Sequence, residues 1–148
     1  MTDDTARDMP LTDEEVRRIL ASTRTIAVVG WSPNPDRPSH QVAAFLRARG
    51  YRVIPVNPGQ AGQEALGETI RPDLAALAGE GVDMVDIFRR SDHVPEVVEA
   101  ALAHLPDLRT VWMQLGVRNP EAAQEARARG IDVVENRCPA IEIPRLGL

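Results

Sequence analysis

The sequence lacks a second cysteine. Cys138 stands alone, so no internal disulfide can form, and neither a C-x-x-C nor an H-x-x-x-H spacing offers a metal site. A reducing compartment fits this, and a cytoplasmic protein is expected. No run approaches the ~18 apolar residues that a membrane span needs. The acidic opening "MTDDTARDMPLTDEEVRR" has no apolar core of an export signal, so neither insertion nor export is expected. Nor is there an excess of basic charge: 17 basic residues stand against 22 acidic ones, a net of −5. That balance argues against generalised attraction to nucleic acid or to an anionic membrane, and any anion site must be local.

What is present is an alternation of strands and helices within 148 residues, a length most simply read as one domain. Residues 1–10 read as a disordered lead and 11–148 as the domain. Thr12-x-x-Glu15 has the form of a capping box that starts a helix running to about Ser22. "TIAVVG" is a continuous apolar run ending in glycine, as in a strand covered on both faces. Ser39 can cap the next helix, in which Val42, Ala43, Phe45 and Leu46 recur at helical spacing. "YRVIPVNP" follows as a strand, with Pro55 hinting at an edge. A short strand is expected near Glu68 to Arg71 and a short helix from Asp73 to Ala78. "VDMVDIF", "TVWMQLG" and "IDVVEN" complete the strands. Ser91 or Asp92 can cap the helix after the first of these, and Asn119-Pro120 starts the helix after the second. The pattern predicts a single Rossmann-like, doubly wound α/β domain, a mostly parallel sheet with helices on both faces and strand order 3-2-1-4-5-6.

In such a sheet, ligands sit beyond the carboxyl ends of the strands. The loop after "TIAVVG" lacks the G-x-G-x-x-G of a dinucleotide turn and reads Gly30-Trp31-Ser32-Pro33-Asn34-Pro35 before Asp36-Arg37-Pro38-Ser39. Gly30 allows close backbone approach, the following helix start favours an anion, and Ser32, Arg37 and Ser39 add donors. The three prolines make the loop long and stiff, suited to wrapping a phosphate. After "VIPV", where an NAD site carries an acid for the ribose hydroxyls, Asn57-Pro58 stands instead. A neutral side chain there, with Arg37 nearby, tolerates a ribose phosphate and so favours coenzyme A or NADP over NAD.

"VVGWSPNPDRPSH", "VIPVNP", "VDIFRR", "VWMQLGV" and "NRCP" occur in this order at successive strand outlets. Together they resemble the CoA-binding Rossmann domain, which is similar to the N-terminal domain of the succinyl-CoA synthetase alpha subunit and also occurs as a stand-alone protein. The resemblance covers roughly Thr23 to Leu148. It implies that Gly30, Ser32, Arg37 and Ser39 hold the CoA phosphates, and that Asn57 and Pro58 border the adenosine. By the same resemblance, Phe88, Arg89 and Val94 line the path of the diphosphate and pantetheine, and Gln114, Leu115 and Gly116 face the pantetheine arm or its thiol. Asn136 and Cys138 resemble the family's last-strand motif beside the same crevice, where a mixed disulfide between Cys138 and CoA is conceivable. Trp31 joins the candidate ligand contacts, either covering the ligand or packing against the fold.

No catalytic centre is legible. His40 starts the phosphate-side helix, while His93 and His104 read as surface residues, and no nucleophile elbow or paired-carboxylate site emerges. Asp83, Asp86, Glu96 and Glu99 read as ordinary solvated charges. The expectation is a module that binds coenzyme A or an acyl-CoA without a reaction of its own, with an unidentified protein partner or self-association left open. The alternative is an NADP- or NAD-dependent oxidoreductase or its nucleotide-binding subunit, disfavoured by the missing glycines. Ligase chemistry of the synthetase type depends, in that family, on a phosphorylated histidine in a further domain and on a partner subunit, so this chain would need another.

Overall fold

In the computed structural model, which describes residues 11–148, the chain alternates helices with strands from its first described element. The expected disordered lead lies outside the described residues. Helix α1 (Asp13–Ser22) starts where the capping box predicts: the Thr12 hydroxyl accepts from the Glu15 amide at 3.1 Å and Glu15 Oε1 accepts from the Thr12 amide at 2.9 Å. Strand β1 (Thr25–Val29), helix α2 (Pro38–Ala48) and strand β2 (Arg52–Val56) follow. A small hairpin, β3 (Glu64–Ala65) with β4 (Glu68–Thr69), and a 3-10 turn at Leu74–Leu77 lead into β5 (Met84–Ile87). Helix α3 (Val94–His104), β6 (Thr110–Met113), α4 (Pro120–Ala128), β7 (Asp132–Val134) and α5 (Pro139–Arg145) complete the domain.

The main sheet is five-stranded in the order β2-β1-β5-β6-β7, and every pair in it is parallel. Both faces are covered, which is why its strands are apolar runs rather than alternating ones. On one face, Val94, Val98 and Ala101 of α3 and Ala122, Ala123 and Ala126 of α4 pack on Ala27, Ile54, Val85, Ile87 and Val111. On the other, Ile19 and Leu20 of α1, Leu46 of α2 and Ile143 of α5 pack on Ile26, Val28, Met84 and Trp112. This is the doubly wound Rossmann-like domain that the alternation predicts.

The expected outer strand near Glu68 to Arg71 is the main departure. Glu68 and Thr69 turn back on Glu64 and Ala65, and only Arg71 reaches the β2 edge, through a single parallel bridge to Val56. The expected order 3-2-1-4-5-6 is therefore reduced to 2-1-4-5-6, with only its outer strand 3 missing. Pro55 is the physical reason: its carbonyl accepts from the Arg71 amide at 3.0 Å, so its missing N–H falls on that outer edge and the ladder cannot extend.

Capping departs from expectation in two places. The N-cap of α2 is Arg37, with no side-chain cap, and Ser39 instead accepts from the Ser32 amide at 3.0 Å. A 3-10 turn at Ser91–His93 precedes α3, and neither Ser91 nor Asp92 caps it. Asn119 does cap α4, accepting from the Ala122 amide at 2.9 Å. Helix α5 follows the last expected strand without an expected counterpart, and carries Pro144 inside it. No helix among the described residues is long and apolar enough to cross a membrane.

Candidate functional site

Two clefts open at the carboxyl ends of the strands, and three residues, Gly30, Asn57 and Arg89, line both. Gly30 is required there twice over. Its φ is +86°, and a Cβ would lie 2.6 Å from the Phe88 carbonyl oxygen, so any side chain would be both strained and driven into the β5 outlet. Its amide and that of Trp31 both approach the Val56 carbonyl, at 3.2 and 3.3 Å. The first turn after β1 is thereby pulled across β2, and the two clefts meet over bare backbone.

The loop from Ser32 to Arg37 is held by its own polar side chains. Ser32 Oγ accepts from the Asn34 amide at 3.1 Å, Asn34 Oδ1 from the Asp36 amide at 2.9 Å, and Gln41 donates to the Pro35 carbonyl at 3.0 Å. His40 lies 2.9 Å through Nδ1 from the Ser32 carbonyl, and its ring stacks on Trp31 at 5.5 Å between centroids. The result is a preformed loop ending in an uncapped α2 N-terminus, whose partial positive charge faces the cleft mouth.

The wider cleft, about 680 Å³, brings together Gly30, Trp31, Ser32, Arg37, Ser39 and Asn57 from the first two strand outlets. From the β5 and β6 outlets and the start of α5 come Phe88, Arg89, Gln114, Leu115 and Cys138. Pro58, which opens a short 3-10 turn (Pro58–Gln60) capped by Asn57, lines the narrower cleft of about 570 Å³. Asn57 is fixed by donating to the Trp31 carbonyl at 2.7 Å and accepting from the Gly59 amide at 2.8 Å.

Three expected residues lie elsewhere. Val94, the first residue of α3, is fully buried on that helix's core-facing side and lines neither cleft, the turn at Ser91–His93 setting the phase of the helix start. Gly116 and Asn136 also line neither. Asn136 Oδ1 accepts from the Gly116 amide at 2.7 Å, which ties the loop after β6 to the loop after β7 and so holds Gln114 and Leu115 in place.

Other residues escaped the sequence reading. Arg90, Pro38, Val42 and Val117 line the wider cleft; Arg90 adjoins Arg89 in a quoted motif, and that doubled arginine was the available signal. The narrower cleft is bounded by Asp73 and Glu96. Asp73 accepts from the Ala76 amide at 3.1 Å and caps the 3-10 turn. Glu96 lies 3.7 Å from Arg89 and 3.0 Å from His93 Nδ1 in a surface network in which its side chain stays exposed, as expected of a solvated charge.

The expectation for Asp86 is overturned most sharply. It is completely buried in the middle of β5, between Val28 and Trp112, and burial pushes its carboxyl well above the usual carboxylate range. Asp83 is half-buried and accepts from the Arg24 and Thr25 amides at 3.1 and 3.0 Å. Among the described residues, the buried side-chain polar atoms without a partner are Trp31 Nε1, both Asp86 carboxyl oxygens and Gln114 Oε1.

The sequence contains no lysine, so the fixed cations of the wider cleft, Arg37, Arg89 and Arg90, are guanidiniums, the side chains that pair with phosphate oxygens in a planar fork. Arg37 has no acidic partner within bonding distance among the described residues, whereas Arg89 and Arg90 face Glu96 and Asp92 at 3.7 and 3.5 Å.

Comparison with known proteins agrees with this layout. The uncharacterized protein YneT of Bacillus subtilis (strain 168) is 40% identical over 124 residues, spanning 84% of this chain and 88% of its own. The Thermus thermophilus protein cell-free ID.343 superposes with a TM-score of 0.80 at 41% identity, over 92% of this chain and 99% of that one. A hypothetical protein of Pyrococcus horikoshii OT3 superposes with a TM-score of 0.86 at 36% identity, over 95% and 97% of the two chains. The model of the CoA binding domain matches residues 24–144, which span every strand outlet of the two clefts, and the chain belongs to that family.

Proposed function

We propose that the protein binds coenzyme A or an acyl-CoA across the two joined clefts. The adenosine lies in the narrower cleft beside Asn57 and Pro58, the phosphates lie over Gly30, and the pantetheine arm runs down the wider cleft toward Gln114 and Cys138. The observation that carries this reading is the junction itself. A long ligand with a nucleoside at one end and a slender arm at the other fits two clefts that share Gly30, Asn57 and Arg89. Its anionic middle then falls where backbone, helix start and guanidiniums converge. Asn57 supports the choice of ligand, since it offers no carboxylate to repel a phosphorylated ribose. No chemical step is assigned. The likeness to the synthetase alpha domain extends, in this reading, to ligand binding alone.

Calorimetric titration of ligand-stripped protein with CoA, acetyl-CoA, NADP and NAD tests the reading. Binding confined to the CoA ligands is expected, and preference for either nicotinamide dinucleotide overturns it. Arg37→Ala then locates the phosphates. A charged hydrogen bond is worth about 1.5–3 kcal/mol, so CoA affinity should fall about ten- to a hundredfold. A larger loss for CoA than for dephospho-CoA assigns Arg37 to the 3′-phosphate, and equal losses assign it to the diphosphate. The Cys138 thiol lies on the wall of the same cleft, so a reductant-sensitive mass increase after incubation with CoA disulfide would mark the arm's course.

A further inference from the structure

Pro58 and Pro72 beyond β2, Leu74 of the 3-10 turn at Leu74–Leu77, and Val97 and Ala100 of α3 give the narrower cleft apolar walls, which suit the faces of a planar base. Its polar side chains are Asn57, Asp73, Arg89 and Glu96. Asn57 already donates to the Trp31 carbonyl and accepts from the Gly59 amide. Arg89 faces Glu96 Oε1 at 3.7 Å, and His93 Nδ1 lies 3.0 Å from the same oxygen. Asp73 is different: it is exposed, Oδ1 accepts from the Ala76 amide at 3.1 Å, and Oδ2 takes no bond from the described residues. Register places this open acceptor beside Pro58. Val56 and Arg71 form a parallel bridge, and the Asn57 amide donates to the Arg71 carbonyl at 2.9 Å. Two residues further along each segment stand Pro58 and Asp73, and both line the cleft.

We propose that Asp73 is the specificity-determining residue of a base pocket in the narrower cleft, selecting a purine that carries an exocyclic amine. The inference rests on the CoA reading and deepens it, since that reading puts the adenosine beside Asn57 and Pro58. A carboxylate oxygen accepts and does not donate, and Pro58 and Pro72 bring no N–H to the slot. An amine edge meets the open acceptor with a hydrogen bond to a charged group, whereas a carbonyl edge sets lone pair against lone pair.

Charge sorts the ends of the ligand in the same sense. The narrower cleft carries the acids Asp73 and Glu96, whereas Arg37 and Arg90 line only the wider one and Arg89 lines both. An oxyanion is therefore repelled from the base end and drawn to the guanidinium side of the junction. The cap at Ala76 does not by itself call for an aspartate, because asparagine caps as well. That equivalence separates the cap from the recognition of the base.

The test is a titration of the native protein with CoA and with the CoA analogue whose exocyclic amino group is replaced by hydrogen, which removes the donor without adding bulk. CoA should bind about tenfold tighter, the lower range for a hydrogen bond to a charged group. Asp73→Asn keeps the cap at Ala76 and puts an amide N–H where the open acceptor stood. Its melting temperature should stay at the native value while the ratio of the two affinities falls toward one. In Glu96→Gln the ratio should stay as in the native protein. Equal binding of the two ligands to the native protein, or an unchanged ratio in Asp73→Asn, overturns the role of Asp73 and leaves the CoA reading standing. A ratio lost in Glu96→Gln alone moves the amine to α3 and overturns that role equally. Failure of both ligands to bind overturns the CoA reading and the base pocket with it. The native-protein comparison stands even where a variant does not fold.

Discussion

The two faces of the sheet are built differently. Against α3 and α4 the packing is aliphatic throughout, with Leu77, Val85, Ile87, Val98 and Val111 all fully buried. Against α1, α2 and α5 the core carries both tryptophans and the cysteine, and the buried polar groups Asp86 and Gln114 share that side. The first face also supplies Val29, Val56, Leu74 and Val97 to the narrower cleft. The other gives up part of its apolar packing to polar groups, and this face floors the wider cleft. Among the described residues, the buried side-chain polar atoms without a partner, on Trp31, Asp86 and Gln114, all lie on that second face.

The contrast is broken most strongly by pH. Asp86 has a folded-state pKa raised by burial, so the folded chain holds this proton at pH values where the unfolded chain has lost it. The favourable contribution is complete below the ordinary carboxylate pKa and declines as pH rises from there through the raised value. Asp86→Asn keeps the shape and has no proton to lose. Denaturant melts of the two proteins should diverge with rising pH, the variant becoming relatively more stable, and parallel curves from pH 4 to 9 would refute the buried neutral acid. Glu142, on the same face, behaves oppositely. Its hydrogen bonds to Arg145, then Arg137, hold its carboxyl below the usual range, so its contribution is present above the unfolded pKa and is lost as pH falls through the folded one.

On the aliphatic face, Leu105→Ala, at the carboxyl end of α3 and lining neither cleft, should cost about 3 kcal/mol, the range for a buried leucine, while leaving CoA affinity within a factor of about two, the scatter expected between uncoupled sites. A lost ligand would show that the two faces are coupled. Gly30→Ala sharpens the comparison from the other side. A left-handed conformation forced on alanine costs about 1–3 kcal/mol, and the 2.6 Å approach to the Phe88 carbonyl moves the β1 and β5 outlets apart. Stability should fall by about 2 kcal/mol, with ligand affinity falling much further than in Leu105→Ala. Calorimetry paired with thermal melts separates the two effects.

The aliphatic face was the more legible in sequence. Apolar runs such as "TIAVVG" and the helical spacing of Val94, Val98 and Ala101 carry their own period, so the strands and most of the helices could be read directly. The site was legible where a loop motif carried it, as at Gly30, Arg37 and Asn57. It was not legible where burial decides the role. Asp86 is one letter inside "VDMVDIF", and nothing local distinguishes a solvated aspartate from one enclosed by Val28 and Trp112; only the register does. Val94 fails for the inverse reason, since a turn of three residues, Ser91–His93, sets the phase of α3. The outer strand was misread because the donor missing at Pro55 acts on the segment around Arg71, sixteen residues away.

The smallest expected effect lies at the edge of the polar-containing face, where α1 is started by Thr12. The helix buries Val16, Ile19 and Leu20 against that face, yet its capping box is exposed. Thr12→Ala removes the acceptor of the Glu15 amide, and should cost about 1 kcal/mol. Because the lost bonds are at the surface and the apolar stripe is unchanged, the loss should appear as faster amide exchange in the first turn of α1 and a small drop in melting temperature, with CoA affinity unaltered. A weakened ligand would mean that the position of α1 is transmitted through Trp112 to the cleft floor, and the polar face would then act as one cooperative unit from its outer helix to its ligand.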